Sequence, residues 1–324
     1  MRSPPNPGLF IVGCPRSGTT LLQRMLDHHP QLAVANDIRF IPQIVEELKL
    51  GANPPVTADL LACVRDNRHL PRLGLPEGAL QKAAEQSRTY AELVGALYSE
   101  FAAARGKALA GEKSPDYVRR LPMLQALFPQ SRFLHIIRDG RDVALSTIEW
   151  AREDKGPGRF KLWQKEPMAV CALWWRWLVS VGQKDGARLG AAYREVSYEK
   201  LVAQPEESLR GLATFLELPF APEMLTYHEG KIRDRPNLSA KSAWLPPTPG
   251  LRDWRAQMAE RDLELFEVLA GDLLTALGYE RRVNSPSSET IAVAERCQQW
   301  WDAEMQRRGR ARTAERMAGA SVSV

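Results

Sequence analysis

The chain has 324 residues, a formal net charge of +5, 44% hydrophobic and 26% charged residues. That length supports an ample core in one large domain or two small ones, and the composition is that of a soluble globular protein. So small and scattered a charge argues against a nucleic-acid partner while fitting an anionic ligand. Cys14, Cys63, Cys171 and Cys297 stand far apart with no C-x-x-C pair, which removes metal-ligand spacing and argues against a disulfide framework. No stretch approaches the roughly 20 apolar residues of a membrane span. The short apolar run before Gly13 is too brief for a signal peptide. The expectation is a cytoplasmic, reduced protein.

Leu9 to Val12 is apolar, partly β-branched and stopped by glycine, which predicts a buried parallel strand. From Gly18 to Asp27, Leu21, Leu22, Met25 and Leu26 recur at helical spacing until "HHP" ends the pattern. "QLAVAN" (31–36) reads as a second strand. Residues 57–105 are alanine- and leucine-rich with helical periodicity, so a helical insertion is placed over about 52–106. "KALAGEKSP" (107–115) predicts a strand and a turn at Pro115, followed by a helix to about Phe128. "RFLHIIRDGRD" (132–142) predicts a strand, a loop and a helix from Arg141 to about Trp150. "YREVSYEKLV" (193–202) gives a further strand and helix, and "EESLRGLATFLEL" another helix.

Strands alternating with helices imply an α/β protein with a parallel sheet flanked by helices, and ligands of such sheets sit at the strands' carboxyl ends. One domain is expected over residues 1–284, with a C-terminal helix and basic, frayed tail over 285–324. "EDKGPGRFKLWQKEP" (153–167) and "AWLPPTPGLRDW" (243–254) read as loops able to cover a site.

In "GCPRSGTTLL" (13–22), Gly13, Gly18, Thr19 and Thr20 have the spacing of a nucleotide phosphate loop, with Thr19 in the lysine's place. Backbone N–H groups at a helix N-terminus make an anion site whatever the side chains. Arg16, Ser17, Gly18, Thr19 and Thr20 are therefore candidate phosphate-binding residues; Arg16 adds a cation, and Thr19 and Thr20 add hydroxyls. A kinase or GTPase also needs the lysine and acidic Mg²⁺ ligands, and no acidic residue ends a hydrophobic strand in the expected way. Arg138 leaves a strand, and Ser146 lies on the next helix within reach of the same anion. The plainer reading pairs Arg138 with Asp139 or Asp142.

"FIVGCPRSGTTLLQRMLDHHP" resembles the 5′-phosphosulfate loop of sulfotransferases that use 3′-phosphoadenosine 5′-phosphosulfate (PAPS), and "IIRDGRDVALS" resembles their 3′-phosphate loop. From Leu9 to about Leu218 the chain is similar to protein-tyrosine sulfotransferases and their bacterial relatives. The resemblance implies PAPS as co-substrate with no metal, and Arg138 and Ser146 on its 3′-phosphate. "ANDIRFIPQ" stands where those enzymes have "GEETR-x-IPR", which makes Asp37 the general base and Arg39 the arginine beside the acceptor. "GEKSPDY" matches "CNKDPF", so Lys113 would touch the leaving bridge; "VSYEKLV" matches "YE-x-LV", so Tyr198 would line the nucleotide pocket. There are departures: Asp37 is one methylene shorter than glutamate, Gln43 replaces an arginine that helps receive acidic peptides, and Val34 and Gly111 stand where cysteines are expected.

Sulfuryl transfer, like phosphoryl transfer, has a loose transition state with charge moving onto the leaving oxygen. Cations at that oxygen, here Arg16 and Lys113, favour the transition state over the ground state. A carboxylate at the acceptor hydroxyl takes its proton. A second reading of Asp37 is a helix N-cap before "IRFIPQIVEEL". His28 and His29 read as helix C-terminal caps, His135 as core, and "LWWRW" (173–177) as a helix packed on the sheet. The expected reaction is sulfuryl transfer to a phenol or alcohol of a small molecule or peptide. The alternatives are an atypical phosphate-loop kinase and a non-catalytic nucleotide-binding protein.

Overall fold

The computed structural model describes residues 6–48, 51, 53–151, 155–229, 246, 250 and 252–320. Five strands form one parallel sheet: β1 (Leu9–Gly13), β2 (Leu32–Asn36), β3 (Leu109–Lys113), β4 (Arg132–Ile137) and β5 (Tyr193–Ser197), in the order β2-β3-β1-β4-β5. β1 is buried along its whole length, as a central parallel strand must be, while β5 at the edge is half-exposed. Leu9 pairs with Gly111 on one side and Arg132 on the other, and Asn36 pairs with Lys113.

The helices follow the alternation. α1 (Thr19–Asp27) and α2 (Phe40–Glu47) succeed β1 and β2; α3 (Ala58–Arg65), α4 (Ala79–Gln86) and α5 (Tyr90–Ala103) form the helical insertion; α6 (Leu121–Leu127) precedes β4. α7 (Gly140–Trp150) and α8 (Pro167–Ala187) link β4 to β5, and α9 (Tyr198–Ala203) and α10 (Pro205–Phe215) follow it. α11 (Trp254–Gln257), α12 (Glu260–Ala276) and α13 (Ser288–Ala320) complete the chain. Local chemistry sets the boundaries. Thr57 caps α3 by accepting from Leu60 N–H, and Thr89 with Glu92 forms a reciprocal capping box at α5.

The structure refines the expected boundaries in four places. α7 starts at Gly140, one residue earlier than expected, because the Asp139 carboxylate accepts from Arg141 N–H and caps it. Pro115 opens a 3₁₀ turn, Pro115–Arg119, ahead of α6. The expected loop at 153–167 contains 3₁₀ turns at Gly156–Arg159 and Lys161–Gln164; residues 152–154 and most of the 243–254 loop lie outside the described residues. α13 carries on as helix to Ala320, through the segment whose composition reads as a frayed tail.

The chain divides into two compact units, Met1–Ile137 with Val181–Pro249 and Arg138–Ser180 with Gly250–Val324. In the first, Leu9 and Ile11 pack with Leu22, Met25 and Leu26 of α1 and with Leu134, Ile136, Leu209 and Leu212. Phe10, on the opposite face by strand alternation, stacks on Phe133 with ring centroids 5.4 Å apart.

The second unit is organised by a buried ion network. Arg141, with no exposed surface, donates to both Asp139 oxygens at 3.0 and 2.7 Å and to Glu267 at 2.6 Å. Its guanidinium lies 3.5 Å from the Trp254 ring centroid, and Glu267 also accepts the backbone N–H groups of Arg282 and Val283. Breaking a buried pair leaves a charge uncompensated and costs about 3–5 kcal/mol. Glu267→Ala should therefore destabilise the protein by that amount in urea melts, whereas truncating the exposed Glu206 of the Arg210 pair should cost under about 1 kcal/mol.

Candidate active site

Gly13 ends β1 at φ 153°, where a Cβ would come within 2.5 Å of the Ile136 carbonyl. Arg16 at φ 78° and Gly18 at φ 92° then take left-handed backbone, and Ser17 N–H closes a turn on the Cys14 carbonyl at 3.1 Å. Alternation of this kind turns successive N–H groups toward a common point. α1 begins there with no side chain capping it and no acidic residue in its first turn, so its positive end is left for an external anion. Ser17 Oγ is buried and finds no hydrogen-bond partner among the described residues, which is costly unless a ligand meets it. Thr19 is buried, and Arg16 and Thr20 are half-buried. Tyr198, the first residue of α9, lies against Gly18, where any Cβ would overlap its ring. The residues of the loop therefore fit a phosphate or phosphosulfate group, and Tyr198 stands beside them.

Asp37 follows β2, and Lys113 ends β3 next to it. Asp37 N–H donates to the Lys113 carbonyl at 2.7 Å, and Ser114 N–H, one residue on, donates to Ile11 of β1 at 3.0 Å. Lys113 thus sits between the Asp37 turn and the phosphate-loop strand. Arg39 grips Asp37 with Nε on Oδ1 and Nη2 on Oδ2, both at 2.6 Å. Ser114 Oγ donates to Oδ1 at 3.4 Å. A carboxylate has about four lone-pair positions, so Oδ2 keeps room for a hydroxyl donor. Burial would raise the pKa of Asp37, but the charges of Lys113, Arg39 and Arg72 outweigh it and hold the carboxyl below its ordinary range. Asp37 is not the cap of α2: that position is Arg39, in left-handed backbone at φ 65° and without a side-chain cap bond. The Asp37 carboxylate is instead committed to the Arg39 guanidinium.

Arg138 is the residue directly after β4 and the first of the second unit. Within that unit its carbonyl accepts from the Trp175 indole at 3.2 Å, and its Nη2 lies 3.4 Å from Asp142 Oδ2. Burial raises the pKa of Asp142, Arg138 opposes that shift, and the Asp142 backbone partner is Trp254 N–H. Ser146 is buried two turns along α7. Trp175, from the "LWWRW" run, packs in this unit on Phe266 with centroids 5.9 Å apart. His28 is the C-cap of α1, with Nδ1 2.8 Å from the Arg24 carbonyl, and His29 Nε2 lies 2.9 Å from the Pro219 carbonyl. His135 is fully buried and its pKa is driven down to about 3 by burial.

Sequence reasoning missed Glu112 and Arg72. Glu112 is fully buried and accepts from Arg39 N–H at 2.9 Å and from Tyr98 OH at 2.5 Å, and Arg72 Nη1 donates to the Asp37 carbonyl at 2.9 Å. A signal for Glu112 existed: a carboxylate inside a strand expected to be buried must be met by donors. For Arg72 there was none.

Parallel sheet, central β1 and glycine loop together define a phosphate-loop-like α/β protein whose anion site lacks the ATPase lysine. A family model described as "Sulfotransferase family" matches residues 7–222, and the chain belongs to that family. It is 26% identical over 300 residues to the protein-tyrosine sulfotransferase of Drosophila melanogaster, covering 86% of this chain and 53% of that protein, so it spans about half that relative's length. It is 29% identical over 332 residues to the nodulation protein NoeE of Sinorhizobium fredii, covering 90% of this chain and 73% of that one. Among solved structures, the sulfotransferase domain of the Synechococcus PCC 7002 olefin synthase shares the fold with a TM-score of 0.58 at 22% identity, covering 87% of this chain and 99% of that one.

Gly18→Ala should destabilise the protein by about 1–3 kcal/mol. Tyr198→Ala in the same chain should return the steric share and leave a left-handed backbone cost of roughly 1–2 kcal/mol. A neutral Gly18→Ala in thermal melts would mean that the loop is not held as described.

Proposed function

We propose that the protein is a sulfotransferase that moves the sulfuryl group of PAPS to the hydroxyl of a small-molecule or peptide acceptor and releases 3′-phosphoadenosine 5′-phosphate. The observation that carries this reading is an ionised Asp37, hydrogen-bonded through its backbone to Lys113 on the strand next to a phosphate loop without the lysine. The family membership supports it and disfavours the kinase alternative.

In this reading the loop amides of residues 16–20, the Ser17, Thr19 and Thr20 hydroxyls and Arg16 hold the phosphosulfate. Arg138 and Ser146 hold the 3′-phosphate and Tyr198 lines the nucleotide. The bond between sulfur and the bridging oxygen breaks as the acceptor oxygen bonds to sulfur. Lys113 and Arg16 meet the charge that collects on the bridge, and Asp37 takes the acceptor proton. Arg39 orients the Asp37 carboxylate, and the 43% exposure of its side chain leaves it accessible to an acceptor. The acceptor class is a phenol or alcohol. The proposed compartment is the cytoplasm, supported by the wide spacing of the four cysteines, which offers no disulfide framework. No helix among the described residues is long and apolar enough to cross a membrane.

Adenosine 3′,5′-bisphosphate at a hundredfold excess over its Kd should stabilise the fold by about 2.7 kcal/mol, read as a rise in Tm, and Mg-ATP should do much less. An equal or larger shift with Mg-ATP would sink the assignment. Labelled sulfate from PAPS should appear on phenol or alcohol acceptors.

Asp37→Asn should lower kcat by about 10²- to 10⁴-fold while bisphosphate binding persists. Because the folded pKa of Asp37 is depressed, the base stays ionised as pH falls through the ordinary aspartate value of about 3.9. With an aliphatic alcohol acceptor, kcat should then stay level from pH 8 to 5. An acidic limb near the histidine pKa of about 6.5 would transfer the role to a histidine.

A further inference from the structure

The turn that carries Asp37 is unusual in its backbone. Asp37 at φ 62° and Arg39 at φ 65° are both left-handed, and neither is glycine. L-residues avoid that region, and such strain persists only where the surroundings over-determine it. Here the surroundings do so at three points. Asp37 N–H is bound to the Lys113 carbonyl at 2.7 Å, the Asp37 carbonyl accepts from Arg72 Nη1 at 2.9 Å, and Arg39 N–H donates to Glu112 Oε1 at 2.9 Å. Ile38, between the two left-handed residues, is buried and anchors the middle of the turn.

Glu112 is itself fixed. Its Oε2 accepts from Tyr98 OH at 2.5 Å and from Tyr117 OH at 3.2 Å. Tyr117 OH in turn accepts from Ile41 N–H at 3.3 Å, and Tyr90 OH donates to the Ile41 carbonyl at 3.0 Å. Glu112 and these tyrosines are fully or almost fully buried, and three elements contribute to the network: β3, α5 and the 3₁₀ turn after β3. It also reaches the first turn of α2, so the turn between β2 and α2 is held from inside the fold. Arg72 comes from the 3₁₀ turn Leu70–Leu73 of the helical insertion, which is anchored by the buried Leu70 and Leu73.

We propose that Glu112 and Arg72 are positioning residues for the general base, clamping the Asp37–Arg39 turn so that the carboxylate is presented at one fixed place beside Lys113. The proposal rests on the sulfotransferase reading above. Neither residue touches the reacting atoms; both hold the backbone of the turn, and Arg72 also adds a charge that favours the ionised Asp37. The Asp37–Arg39 pair, being local, would survive loss of the clamp, but its location would not. A displacement of about 1 Å in a reacting group can cost 10²-fold in rate. The helical insertion thereby has a role in the reaction through a single guanidinium.

The test uses the full chain, PAPS and two acceptors of different acidity, a nitrophenol and unsubstituted phenol. Arg72→Gln, a change at an exposed side chain that leaves folding intact, should lower kcat for phenol by about 3- to 10-fold. Glu112→Ala should lower it roughly 10- to 100-fold, and Glu112→Gln, whose amide oxygen still accepts from Arg39 N–H, should recover most of the rate. For each variant the loss should be smaller with the nitrophenol, which needs less help from a base, and bisphosphate affinity should be unchanged. In an Asp37→Asn background neither change should lower kcat further, because the group being positioned is gone. A loss that is the same for both acceptors, or that persists in the Asp37→Asn background, overturns positioning in favour of a merely structural role. If Glu112→Ala fails to fold, Arg72→Gln decides alone. Full activity of Arg72→Gln in an active wild-type background overturns the clamp and leaves the sulfotransferase reading standing, whereas absence of transfer by the wild type overturns both.

Discussion

A parallel sheet delivers the carboxyl end of every strand to the same edge, and the order of the strands then decides which loops become neighbours. With β1 in the centre and β3 between it and β2, the residues that leave that edge run Asp37, Lys113, then the glycine loop, although in the chain they are numbered 37, 113 and 13–20. Arg138 and Tyr198 succeed the next two strands. The tie from Asp37 N–H to the Lys113 carbonyl extends the β2–β3 ladder by one residue past Asn36. A carboxylate-bearing and a cation-bearing residue are thereby joined through backbone rather than through flexible side chains. The close approach of Gly13 to Ile136 does the same for the loop, since β1 and β4 run side by side to that point.

Electrostatics at this edge separates two carboxylates a few residues apart in space. Asp37 faces Lys113, Arg39 and Arg72, and these cations win over desolvation and keep it ionised. Glu112 lies one residue before Lys113 on the same strand. Its first influence is burial, which raises its pKa against the opposing hydrogen bonds of Tyr98, Arg39 N–H and Tyr117. Strand alternation puts Glu112 and Lys113 on opposite faces of the sheet, and of the two only the Lys113 charge acts to keep Asp37 ionised. Environment, more than side-chain type, shifts the two acids in opposite directions.

A cationic residue is managed differently in each unit. In the second unit Arg141 is sealed among Asp139, Glu267 and the Trp254 ring, and serves the packing of α7, α11 and α12. In the first, Arg39 is paired as well as Arg141 is, yet its side chain remains 43% exposed. Its pairing with Asp37 is therefore made where solvent still reaches it.

The sequence by itself determined much of this. All five strands were legible, most plainly β1 and β4, whose apolar runs suit strands buried on both faces, and least plainly the polar edge strand β5. Glycine spacing located the phosphate loop, because the left-handed and closely approached positions at Gly13 and Gly18 admit little else. Resemblance named Asp37, Lys113, Arg39 and Tyr198, and the strand ends place all four in the first unit, after β2, β3 and β5. What only the tertiary structure decided lay in contacts between residues distant in the chain. The helix-cap reading of Asp37 gave way to its pairing with Arg39, because two left-handed residues move the start of α2 past it. The hold on that turn comes from Glu112 and Arg72, 73 and 35 residues away from their partners. A periodicity is a local property and survives in the sequence; a hydrogen bond across such distances exists only once the sheet has brought its two ends together.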